Sequence, residues 1–191
     1  MDEQVMARVL DEAERLFGQR GFQRVTLDEV AEAADASPEQ LSARFADCGE
    51  LLVHLAQARA HEVRSRLNRA VDGLSSRTMI EGAGFQEWFR WLAEHPYTNQ
   101  IIWQTELVDA EVHRNWYRDL AADYARGLTR AIDEGELPRV DPEGLAWCLM
   151  GMADFLGMRY VMWTGRPELP EQAMRTFTRV LTRALQTGGG R

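Results

Sequence analysis

Hydrophobic residues recur along almost the whole chain at spacings of three and four, and no stretch alternates residue by residue as a strand would. The pattern predicts an all-α protein. Val9, Leu10, Ala13, Leu16 and Phe17 form one apolar stripe, predicting a first helix that ends between Gly18 and Gly21. Thr26 opens a second helix, with Glu29 three residues on as the partner of a capping box, and Leu27, Val30, Ala31 and Ala34 face inward. A third helix starts at Ser37 as N-cap, with Pro38 in the first helical position and Gln40 as the box partner. Leu41 and Phe45 anchor it. Asp47 and Glu50 repeat the start signal for a longer fourth helix, which runs through Leu51, Leu52 and Leu55 toward Leu67.

Only Asp35 and Ala36 separate the second and third helices, the tight connection of a helix-turn-helix whose second helix can enter a major groove. Such a turn favours positive φ, which Asp tolerates better than most residues. Beyond a break at Asp72 to Ser76 the helical period resumes. Phe85, Trp88, Phe89 and Leu92 share a face of a helix that stops before Pro96, and a short helix follows around Ile101 to Leu107. Tyr117, Leu120, Tyr124, Leu128 and Ile132 make a long stripe ending at Gly135. Asp141 and Pro142 start a helix that is apolar nearly all round through Trp163. From Pro170, Met174, Phe177 and Leu181 oppose Arg175, Arg179 and Arg183 on a last helix, followed by a frayed tail at Gly188 to Gly190.

Composition narrows the setting. The 191 residues are 45% hydrophobic, ample for a packed core. The longest apolar candidate, Leu145 to Thr164, is interrupted by Asp154 and Arg159, so no membrane span is expected. The acidic start Met1-Asp2-Glu3 is unlike a signal peptide, and Cys48 and Cys148 have neither metal-ligand spacing nor a disulfide framework. A reduced, cytoplasmic protein without a cofactor is the expectation. The net charge of −8 works against nucleic-acid binding, and residues 1–60 hold six arginines against twelve carboxylates. Every basic residue is an arginine.

The segments Val9 to Phe17, Arg20-Gly21-Phe22 and Thr26 to Ala31, with Ser37, Leu41, Phe45 and Leu51-Leu52, resemble the first helix and helix-turn-helix of the tetracycline-repressor (TetR) family of bacterial regulators. Gly135-Glu136-Leu137 followed by Asp141-Pro142-Glu143 is similar to that family's approach to its penultimate helix. The resemblance implies a DNA-binding module at residues 1–47 and a larger helical ligand-binding and dimerisation domain at 48–191. It further implies a homodimer joined by the last two helices, a palindromic double-stranded DNA operator, and a small-molecule effector that releases the DNA. The candidate DNA-contacting residues are Arg24, Thr26, Ser37, Gln40, Ser42 and Arg44. Thr26 begins a helix whose N–H groups favour an anion, while Gln40 suits adenine and Arg44 suits guanine or phosphate. The sequence departs from the family at Pro38, Glu39, Ser42 and Cys48, where lysine, glycine, tyrosine and lysine are usual.

The second half is rich in large aromatic and methionine side chains that suit a bulky apolar or aromatic ligand. Trp88, Trp103, Trp116, Tyr124, Trp147, Asp154 and Met158 are the candidate ligand residues; core and interface packing is the alternative for each. Asp154 lies in the most apolar helix, where a carboxylate needs either a structural arginine partner or a ligand role. Glu106, Asp109 and Glu111 among tryptophans would favour a cationic ligand. No phosphate loop, nucleophile elbow or zinc-ligand spacing points to an enzyme. The expected function is a transcriptional regulator, a repressor released from DNA by an apolar or aromatic ligand. The competing reading is a TetR-like chain that has lost specific DNA binding and serves as a ligand-binding or enzymatic helical domain.

Overall fold

A computed structural model describes residues 1–166 and 168–185; the tail expected at Gly188 to Gly190 lies outside them. Among the described residues the regular elements are helical: α1 (Glu3–Arg20), α2 (Leu27–Ala33), α3 (Pro38–Ser42), α4 (Cys48–Val71), α5 (Arg77–Glu94), α6 (Thr98–Thr105), α7 (Ala110–Asp133), α8 (Pro142–Gly157) and α9 (Glu171–Leu185). Among the described residues no helix is long and apolar enough to cross a membrane. The chain packs as two compact units. Residues 1–62 and 97–116 form the first, and 63–96 with 117–191 the second.

In the first unit, the apolar stripes meet as their spacing predicts. Val9, Ala13 and Phe17 of α1, Val30 and Ala31 of α2, Leu41 of α3 and Leu51, Leu52 and Leu55 of α4 are wholly buried. Each such Leu or Phe stabilises the unit by roughly 1.5–3 kcal/mol relative to exposure. The helix ends follow local chemistry. Asp2 caps α1 by accepting from the Val5 N–H at 2.8 Å, and Gly21 closes it at φ 80°. Thr26 and Glu29 complete the expected capping box. Ser37 accepts from the Gln40 N–H at 3.2 Å, but its hydroxyl donates to Glu39 Oε2 at 2.7 Å, so Glu39 rather than Gln40 closes the start of α3.

Helix α6 belongs to this first unit. Gln104 stitches it to the end of α1, with Oε1 accepting from the Phe22 N–H at 2.7 Å and Nε2 donating to the Phe17 carbonyl at 3.1 Å. Tyr97 lies so close to Gly18 that a Cβ there would overlap its ring, and its hydroxyl accepts from Gln19 Nε2 at 3.1 Å. Helix α4 is clamped to α1 by buried Arg59, which donates to Glu14 at 2.7 Å, Asp11 at 2.6 Å and Glu62 at 3.0 Å.

The second unit is an aromatic helical assembly. Phe85 and Phe89 of α5 meet Phe177 of α9 edge-on, at centroid distances of 4.8 and 5.9 Å. Gly157 ends α8 against Leu92 and Phe89, where a Cβ would overlap the Cδ1 of Leu92. The single helix expected through Trp163 loses α geometry there. Met158 to Met162 form a π turn, closed by the Trp163 N–H donating to the Met158 carbonyl at 3.0 Å. Such wide turns occur mostly as single insertions within helices, frequently at functional sites.

Candidate nucleic-acid interface

The helix-turn-helix is built as its sequence suggests. Asp35 takes φ 49° in the turn between α2 and α3, the one non-glycine residue with positive φ among those described. Arg8 of α1 secures this turn by donating Nε to the Ala34 carbonyl at 3.0 Å. Helix α3 itself is short. It ends at Ser42, although the Phe45 N–H still reaches the Leu41 carbonyl at 2.9 Å, so Arg44 sits in a tightened last turn rather than in regular helix.

All six candidate contact residues fall in this module, with Ser37 half-buried and the other five exposed. Their polar groups differ in availability. The Thr26 hydroxyl accepts from the Glu29 N–H and donates to Glu29 Oε2 at 3.1 Å, while the Thr26 N–H goes to the same carboxylate at 2.8 Å. A phosphate at this helix start would therefore compete with Glu29. Ser42 donates to the Glu39 carbonyl at 3.3 Å. Gln40 extends outward from the third position of α3. The Arg44 guanidinium lies over the Phe45 ring at 5.7 Å, and Phe45 in turn packs against His54 of α4 at 5.3 Å.

Arginine use explains how few cations remain for DNA. Of the six arginines in residues 1–60, Arg8 holds the turn, Arg15 pairs with Glu12, Arg20 pairs with Glu29, and Arg59 is the buried clamp. Arg24 and Arg44 are left exposed, with no salt bridge among the described residues. Cys48, at the position where the family usually has a lysine, is buried, and its thiol donates to the Val25 carbonyl at 3.2 Å. Burial, then Asp47 and Glu29, push that thiol up to about 11, so it stays protonated. Between α2, α4 and the turn after α6 runs an open groove of about 690 Å³, lined by Thr26, Ser42, Asp28, Asp47, Leu107 and Val108 among others.

The sequence pattern described as "Bacterial regulatory proteins, tetR family" matches residues 9–55, the segment that forms this module. Residues 9–55 are similar to the N-terminal module of that family. Solved structures similar to the whole chain carry the same fold. A regulatory protein of the tetR family from Rhodococcus RHA1 is 15% identical, with TM-score 0.77, covering 98% of this chain and 100% of that one. The fatty acid degradation regulator FadR from Bacillus halodurans is 14% identical at TM-score 0.80, covering 100% and 99%. GusR from Salmonella enterica is 18% identical at TM-score 0.76, covering 95% of each chain. No curated protein sequence matches the chain.

The candidate ligand residues divide between the two units. Trp103 and Trp116 lie in the first, Trp103 half-exposed on α6 and Trp116 buried on α7. Trp88, Tyr124, Trp147, Asp154 and Met158 lie in the second. Trp88 is buried and stacks on Trp91 at 5.7 Å, Asp154 and Met158 are half-buried, and Trp147 stands exposed on α8 near Tyr117. Tyr124 donates its hydroxyl to Glu81, which also takes a bond from Arg77 Nε at 2.7 Å, and Arg77 lies over the Tyr124 ring at 5.4 Å. Burial outweighs Arg77 and lifts the Glu81 carboxyl above its ordinary range; burial and Glu81 lift the Tyr124 hydroxyl likewise. Sequence reading missed Arg77 and Glu81. Their i, i+4 spacing was visible, but that spacing is commonest on solvated faces. Among the described residues no group of three or more His, Cys, Asp or Glu is placed to hold a metal.

Proposed function

We propose that this chain is a DNA-binding transcriptional regulator, a repressor released by a small apolar or aromatic effector held in the second unit. The observation that carries the reading is the exposed outer surface of the helix-turn-helix, with Gln40 and Arg44 outward and the turn fixed by Asp35 and Arg8. Gln40 offers a bidentate pair to adenine, and Arg44 offers one to guanine or a charge to phosphate. Residues 1–47 are the reading module, and the remainder binds effector and partner. The outward apolar side chains Trp147, Phe155 and Val180 on α8 and α9 support a homodimer through those helices. A palindromic operator follows from the two-fold symmetry of that assembly, and a regulator of DNA acts in the cytoplasm.

A second reading has its own observation. Glu39 and Asp28 face outward beside the same surface, and four of the six local arginines are engaged by other groups of the chain. A tetR-family chain that has lost specific DNA binding, serving as a ligand-binding helical domain, would look like this. Selecting genomic DNA fragments on the purified protein, with affinity followed against salt, separates the two. A short palindromic site bound at nanomolar Kd supports the regulator. Weak binding without a selected site, vanishing by physiological salt, supports the second reading.

A further inference from the structure

Glu81 and Trp88 are seven residues apart, two turns along one stripe of α5. Glu81 spends its oxygens on Arg77 and Tyr124. Trp88 differs. Only 8% of it is exposed, and its indole Nε1–H finds no acceptor among the described residues. A buried donor left without an acceptor weighs against the fold unless a bound group meets it. The π turn packs on this same helix and brings half-buried Met158 and Met162, side chains that adapt to irregular partners.

We propose that the Trp88 indole N–H is the hydrogen-bond anchor of the effector, and that the group it meets is an uncharged acceptor. A ketone, ester or amide carbonyl in an otherwise apolar molecule fits. The inference rests on the second unit being an effector domain. Charge decides against a carboxylate. The one buried guanidinium among this unit's described residues is Arg77, already held by Glu81. The other buried carboxylate on α5, Glu87, is paired with Arg66 and Arg90. An anionic head at Trp88 would lie on a helix already carrying two buried carboxylates, with no uncommitted buried cation to offset its desolvation.

The test uses the full chain and three ring-matched probes: cyclohexanone, cyclohexanecarboxylate and methylcyclohexane. Indole N–H signals are followed by NMR, with Trp88 assigned from Trp88→Phe. Cyclohexanone should move the Trp88 N–H downfield saturably, while the other two leave it in place. Trp88→Phe, or 3-benzothienylalanine at position 88 should the phenylalanine variant not fold, should weaken cyclohexanone about tenfold. An equal downfield shift with the carboxylate would overturn the uncharged acceptor. Cyclohexanone shifts on other second-unit signals with Trp88 unmoved would remove the anchor and leave the effector domain standing. No response anywhere in the second unit would sink both.

Discussion

Among the described residues each unit contains one buried arginine, and the two are used differently. Arg59 in the first unit spreads its guanidinium over Glu14, Asp11 and Glu62, with two of the three drawn from α1. It clamps the long helix α4 to the first helix of the reading module. Arg77 in the second unit pairs with Glu81 one turn along its own helix and covers the ring of Tyr124 on α7. The first clamp is long-range in sequence and over-supplied with negative charge. The second is local and nearly balanced. A clamp facing three carboxylates cannot be replaced by apolar residues one-for-one, whereas a balanced pair can.

The largest expected effects come from breaking that contrast. Arg59→Met should cost roughly 3–5 kcal/mol, because Glu14 would be left buried beside other acids. Arg77→Met should cost a similar amount by stranding Glu81. Adding Glu81→Leu with Tyr124→Phe should recover most of that loss, since replacing every partner of a buried pair by apolar groups is often neutral and no hydroxyl is then stranded. Adding Glu14→Leu to Arg59→Met should recover less, with Asp11 and Glu62 still facing the site. Urea unfolding of the four variants reads this out, and equal recovery in both units would remove the distinction.

Gln104 offers a smaller break within the first unit. Gln104→Ala leaves the Phe22 N–H without its acceptor, while the Phe17 carbonyl keeps the Gly21 N–H, and should cost about 1–3 kcal/mol. Hydrogen exchange should quicken at Phe22 and Gly21 while the second unit keeps its protection. Uniform loss across both units would mean that α6 is not a local stitch.

The same contrast governs what could be read from sequence. Thr26, Glu29, Ser37, Pro38 and Asp35 act within four residues of themselves, through capping and turn geometry, and the structure places them in those roles. Gln104, Arg59 and Tyr124 act across 43 to 87 residues, and no periodicity announces such partners. The apolar pattern marked Trp88 as inward but could not show that its N–H goes unanswered. Net charge was legible; its distribution was not, because which of Arg8, Arg20 and Arg59 are engaged by other elements depends on the packing of α1, α2 and α4.

Arg44 and Arg24 are the exposed cations left on the proposed DNA face, which sharpens the comparison from the functional side. For a dimer, Arg44→Ala should abolish selection of a specific site and flatten the slope of log affinity against log salt by roughly 2, about 0.9 for each phosphate that the arginine no longer neutralises. Fold and oligomeric state should be unchanged. Full affinity with an unaltered slope would take Arg44 out of the interface and leave the second reading of the chain the stronger one.

The smallest expected effect concerns His54, which packs on Phe45 beneath Arg44. Burial, then the Arg44 charge, hold its imidazole below the ordinary histidine range, with Glu50 opposing. The folded chain therefore prefers His54 neutral, and the unfolded chain binds the proton first as pH falls. By linkage, the contribution is fully present above the unfolded value near 6.5 and is lost as pH falls through and below it. His54→Phe should make stability less sensitive to pH between about 7 and 5. In Arg44→Ala the imidazole should titrate at higher pH than in the parent chain, followed by its ring proton shifts. An unchanged titration would mean that burial alone sets it, and that the Arg44 side chain stands further from His54 than the ring stack places it.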